Sequence, residues 1–169
     1  SPKEVMRDIE TPCPNCGNPT MAGWSICQSC LRRYIEDIGS LAHVIPALRA
    51  LADRTARIGG CSHAPSRGVA PLPISTHWQE QWERASRLML DIASTIDIRY
   101  GLLRTESWRK AWRKAISNRN SLAASDRTPD LMLDLHATLI DLDGMMRERD
   151  PRVTVVSCTE CGQRIAAPF

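Results

Sequence analysis

Apolar residues recur along this chain in steps of three and four, the period that lines one side of an α-helix. From Leu31 the series Leu31, Tyr34, Ile38, Leu41, Ile45, Leu48 and Ala52 predicts a helix over about 31–58, closed by Gly59-Gly60. Pro46 falls inside it and lacks a backbone N–H, so a kink or a break is expected near His43 to Ile45. Trp78, Trp82, Ala85, Met89, Ile92 and Ile96 predict a second helix over about 76–99, opened by a Thr76/Gln79 capping box and ended by Gly101. Trp108, Ala111, Trp112, Ala115 and Ile116 predict a shorter third, about 106–119, after which the polar, small residues 118–127 read as a turn region. Pro129 suits the first turn of a fourth helix, about 129–149. It carries Leu131, Leu135, Thr138, Leu142 and Met145 on one side, with Met132, Leu139 and Met146 beside them, and Pro151 closes it. No repeat and no strand longer than Val153–Ser157 is expected. The expectation is an all-α fold, an antiparallel helical bundle over 31–150. Its one long loop, 59–75, exceeds the roughly 12–15 residues that structureless connections usually reach, which hints at a role or a ligand for it.

Ahead of the first stripe, residues 1–30 hold Cys13-Pro14-Asn15-Cys16-Gly17 and Cys27-Gln28-Ser29-Cys30. Two Cys-x-x-Cys pairs at this separation can close a tetrahedral shell of four thiolates around one zinc ion. Gly17 supplies the permissive backbone after the first pair, and the second leads straight into the apolar helical pattern, so the metal would pin the start of a long helix. Disulfides are the competing reading. The first thirty residues carry no secretory signal pattern, however, and paired Cys-x-x-Cys in a reducing compartment favours metal. Four thiolates leave no coordination position for substrate, which points to architecture and not to catalysis.

The remaining cysteines pose a further question. Cys158-Thr159-Glu160-Cys161-Gly162, in the tail 151–169, is a third Cys-x-x-Cys pair and needs two more donors. Cys61 and His63, in the long loop, offer a thiolate and an imidazole, so Cys61, His63, Cys158 and Cys161 together would make a second zinc shell. In a strict up-down-up-down bundle the loop and the tail leave opposite ends, although both segments are long enough to travel. Completion by another subunit, or a Cys61 that binds nothing, are the other readings.

Composition adds limits. The net charge of +3 is too small to establish nucleic-acid binding, so the argument rests on local clustering. Arg109, Lys110, Arg113 and Lys114 supply such a cluster on the third helix, with Arg104 and Arg119 flanking it and Glu106 the single acid nearby. Like charges four residues apart weaken an isolated helix slightly, and phosphate would reward the arrangement; a solvated face opposite a core-buried Trp108 and Trp112 is the plainer reading. His43, His77 and His136 read as surface or packing residues, and no triad, paired-carboxylate or Gly-rich phosphate pattern marks an enzyme. No apolar run approaches the ~20 residues that span a bilayer, and seven cysteines without an export signal suit the cytoplasm.

The order of Cys13-x-x-Cys16-Gly17, Trp24-x-x-Cys27-x-x-Cys30-Leu31, the Leu/Ile-rich helix, Pro71-Leu72-Pro73-Ile74 and Asp150-Pro151 ahead of Cys158 resembles a family of small zinc-knuckle proteins encoded by actinobacterial phages and prophages. The likeness covers most of the chain. It implies work in the cytoplasm of a bacterial host, and longer members look as though they continue into a further zinc-binding stretch and a helix-turn-helix of regulatory type, whereas this sequence ends at Phe169. Two functions are therefore expected: a zinc-stabilised protein that binds nucleic acid and regulates transcription, or an adaptor or inhibitor that captures a host protein without nucleic acid.

Overall fold

The computed structural model describes residues 11–58, 74–147, 154–157 and 164–167, and the chain is predominantly helical. Its elements are α1 (Gln28–Ile58), α2 (Ile74–Ser94), α3 (Trp108–Ser117), α4 (Arg119–Ala124), α5 (Thr128–Arg147) and an antiparallel pair of strands, β1 (Thr154–Ser157) and β2 (Arg164–Ala167). Two short 3-10 turns, Ile98–Leu102 and Thr105–Ser107, connect α2 to α3. None of the described helices is long and apolar enough to cross a membrane.

Every member of the Leu31–Ala52 stripe is buried, and α1 runs through Pro46 without a break. Pro46 lies on the exposed side, where its ring meets no packed neighbour of the core stripe. In α2, Trp82, Ala85, Met89 and Ile92 are buried as the period requires, with Trp78 and Ile96 partly covered. The helix begins at Ile74, so Thr76 lies within it, and the Gln79 amide donates to Glu83 (2.8 Å) instead of completing a capping box. It also ends earlier than expected, at Ser94. There Ser94 Oγ bonds the Asp91 carbonyl (2.6 Å) and Thr95 Oγ1 that of Ile92 (2.7 Å), hydroxyls competing for the acceptors that the next turn would use. Asp97 then caps the following turn by accepting from the Arg99 N–H (3.1 Å). Gly101 is not the terminator but a point of close approach, since a Cβ there would meet Ser94 Cβ at 3.3 Å.

The segment after α2 doubles back along it, held by Arg87 Nη1, which donates to the carbonyls of Gly101 (3.3 Å) and Leu103 (3.2 Å). That return lets α3 run in the same direction as α2. Residues 118–127 are not all turn: α4 occupies Arg119–Ala124 and buries Leu122 and Ala123 completely. α5 runs antiparallel to α2, with Arg127 bonded to Ser94 Oγ (3.2 Å) near one end and Arg84 to Asp141 (3.5 Å) further along. Arg49 lies 4.6 Å above the Trp82 ring in the α1–α2 contact, and Asp37 meets His136 at 3.5 Å in the α1–α5 contact. α1 and α5 therefore share a direction, unlike the first and fourth helices of an up-down-up-down chain. The difference follows from the return segment, which replaces the short link expected between the second and third helices.

Candidate functional site

Cys13, Cys16, Cys27 and Cys30 come together, with their four sulfurs all within 4.8 Å of one another. Cys16 and Cys27 sulfurs lie 3.3 Å apart and those of Cys13 and Cys30 3.7 Å apart. Both separations exceed the roughly 2.05 Å of a disulfide bond. They approach the ~3.8 Å edge of a tetrahedron built on Zn–S bonds of about 2.3 Å. These four residues could hold a metal ion.

Local backbone chemistry builds the cluster. The Gly17 N–H closes on the Cys13 carbonyl (2.8 Å) and the Cys13 N–H on that of Asn18 (2.7 Å), folding the first pair into a tight loop. This loop needs a left-handed residue, and Gly17 takes it at φ 76°. An antiparallel bridge, Pro12 to Pro19, clasps its base, and the buried Thr20 adds two bonds to the Thr11 carbonyl, from its N–H (3.0 Å) and its Oγ1 (2.7 Å). The second pair straddles the first turn of α1: Cys27 accepts the first helical bond, from Leu31 N–H (2.9 Å), and its sulfur accepts the N–H of Cys30 (3.5 Å).

Electrostatics make the cluster ask for a cation. Burial opposes a thiolate at Cys13, but the backbone amides of Cys27, Asn15 and Cys16 outweigh it and bring the thiol down to about 7. At Cys27 burial again opposes ionisation, and the Cys30 amide and neighbouring sulfurs lower the thiol nonetheless. Cys30 moves the other way, raised by its burial and then by the sulfurs around it. At Cys16 the Asn18 amide favours the thiolate, but the Cys27 sulfur and the others push the thiol up. Four like charges in so small a space cannot all persist without a positive ion between them.

The cluster is part of the core and not an appendage to it. Cys13, Cys27 and Cys30 are buried together with Ile26, in one contiguous apolar cluster with Leu122, Met132 and Leu135; Cys16 alone reaches the surface. Ser25 fastens the approach to α1. Its N–H and Oγ both donate to the Ala123 carbonyl (2.7 and 3.0 Å), and the Oγ also donates to that of Ser125 (2.6 Å). Asn15 Nδ2 reaches Met132 Sδ on α5 at 3.4 Å. No pattern in the sequence announces these ties, because their partners lie about a hundred residues away.

On α3 the chemistry is opposite in kind. Arg109, Lys110 and Arg113 are exposed and Lys114 is half-exposed, all on the side turned away from the buried Trp108, Ala111 and Ala115. Among the described residues none of the four makes an ion pair. Arg109 lies 5.1 Å from the centre of the Trp108 ring, a cation–π contact that steadies its guanidinium. Trp108 is buried as expected; Trp112 is half-buried, with its Nε1 closed off from solvent and without a hydrogen-bond partner. The buried Trp108 offers no free face for stacking. His43, His77 and His136 are exposed, also as expected. Cys61, His63, Cys158 and Cys161 lie outside the described residues.

Comparison of the chain with protein-family models, curated proteins and solved structures returns no match.

Proposed function

We propose that this is a zinc-stabilised nucleic-acid-binding protein of regulatory type, in which the four early thiolates hold a structural zinc and α3 presents its cations to phosphate. Zinc suits an all-sulfur tetrahedral donor set, and a filled shell gives the ion no position at which to activate water, so its role is to order the fold and not to catalyse. The observation that carries the nucleic-acid reading is the set Arg109, Lys110, Arg113 and Lys114, aligned on one side of a core-packed helix and in no ion pair among the described residues, with Asp97 the one acid whose charge Lys114 favours. Phosphate contacts of this kind release counterions, so binding to duplex DNA or RNA should weaken steeply with salt. Charge reversal of the four cations should abolish most of the affinity and reduce the slope of log affinity against log salt by about 3–4. Affinity and slope unchanged by the reversal would return α3 to a solvated surface.

A second reading, the adaptor for a host protein, draws on Ile98 and Leu102. These side chains are 79% and 85% exposed on the turn that Asp97 caps, a rigid apolar prominence of the kind that anchors protein contacts. A stable complex that survives nuclease treatment and is lost on Ile98→Asp would favour it.

A second zinc shell of Cys61, His63, Cys158 and Cys161 belongs to the same proposal. The shared direction of α1 and α5 supports it, since the helices that precede the two donor segments end on the same side of the molecule. The ladder adds a parallel in sequence: Ser157 pairs with Arg164 and the chain between them reads Cys-Thr-Glu-Cys-Gly-Gln, while Cys-Pro-Asn-Cys-Gly-Asn stands between the bridged Pro12 and Pro19.

A further inference from the structure

α5 carries a second line of residues that the core does not use. Asp130, Leu133, Ala137, Ile140, Gly144 and Arg147 follow one another at alternating steps of three and four, a straight seam on the side opposite the buried Leu131, Leu135 and Leu142. Leu133 and Ile140 are 58% and 59% exposed, Asp130, Ala137 and Arg147 are exposed, and a Cβ built on Gly144 meets nothing within 4 Å. An apolar line this regular, open to water and bounded by one acid and one base, is the pattern of a helix-to-helix contact.

The order of side chains along the seam identifies the occupant. Reversed end for end about the point between Ala137 and Ile140, it sets Asp130 against Arg147, Leu133 against Gly144, and Ala137 against Ile140. Each large side chain then meets a small one, and each charge meets its opposite. A parallel copy would instead set Asp130 on Asp130 and Arg147 on Arg147, with a void at Gly144. We propose that this face of α5 receives the same face of a second copy of the chain, packed antiparallel about a two-fold axis. Asp130 has no ion pair among the described residues, and Arg147 meets only Asp143, at 3.0 Å, in a pair whose side chains are 79% and 61% exposed and which exchanges at little cost. One helix per copy covers less than the roughly 1,200 Å² of a standard stable interface, so the dimer should dissociate in the micromolar range and depend on concentration. The two-fold would also place two copies of the α3 face on one particle.

Sedimentation velocity of the full chain over a micromolar concentration series tests this. The wild type should pass from monomer to dimer, Ile140→Lys should raise the dissociation constant at least about tenfold with helicity and melting temperature unchanged, and Asp130→Arg should weaken association. Combining Asp130→Arg with Arg147→Asp should restore it, because the antiparallel pairing then regains its opposite charges. A wild type that stays monomeric throughout, or a dimer indifferent to Ile140→Lys, overturns the proposal. Failure of the double exchange to recover what the single reversal lost overturns the antiparallel arrangement.

Discussion

The cysteine end of α1 gathers ionisable thiols and the outer side of α3 gathers cations, and the molecule treats the two groups in opposite ways. At the first, ionisable sulfurs are drawn into the core, where only amide donors and a cation can make their charge tolerable. At the second, the cations are left in water, which screens their repulsion at small cost. The contrast teaches where stability and recognition reside. A buried cluster is coupled to everything packed around it and cannot be altered without disturbing the fold, whereas an exposed one is free to be spent on a ligand.

If that division is right, substitutions should rank by it. Cys30→Ser removes a buried member of the cluster proposed to hold zinc; structural zinc contributes about 10–16 kcal/mol of binding free energy in small zinc domains, so stability should fall by more than about 5 kcal/mol, read as loss of a cooperative thermal transition. Leu122→Ala empties a fully buried position where α4 meets the cluster, and denaturant unfolding should record a loss of about 2–4 kcal/mol without loss of bound zinc. Ser25→Ala removes the hydroxyl that reaches the Ala123 and Ser125 carbonyls, which keep the N–H groups of Ser25 and Thr128, and should cost about 0.5–1.5 kcal/mol by the same measurement. Reversal of Arg109 and Lys110 should change stability by no more than about 1 kcal/mol while weakening nucleic-acid binding, since the surface contact of Arg109 with the Trp108 ring is the one interaction lost. A large destabilisation from this last pair would blur the comparison; a small one with lost affinity would sharpen it.

Much of this was legible from the residues alone, for reasons that differ by region. The α1 stripe reads true because burial on one side of a long helix imposes a period that no other structure shares. The two early Cys-x-x-Cys pairs read true as a single cluster because their spacing is local. α4 escaped notice because six residues with one buried Leu122-Ala123 step present no period at all. The early end of α2 turns on hydroxyls at Ser94 and Thr95 that compete for carbonyls, a local preference weaker than the apolar stripe running through it to Ile96. The direction of α3 depends on a return segment held by Arg87, and the union of cysteine cluster and core on Ser25 and Asn15 reaching across the chain. These are tertiary contacts, and only the folded chain brings their partners together.

The central claim is that a metal ion held by Cys13, Cys16, Cys27 and Cys30 organises the core. It is tested most directly by measuring zinc per chain and far-UV helicity together while a chelator is titrated in. The account predicts that the purified protein carries zinc, two equivalents if the second shell forms, and that helicity collapses cooperatively as the early site is emptied. Zinc-free protein with full helicity and an unchanged melting temperature would contradict it.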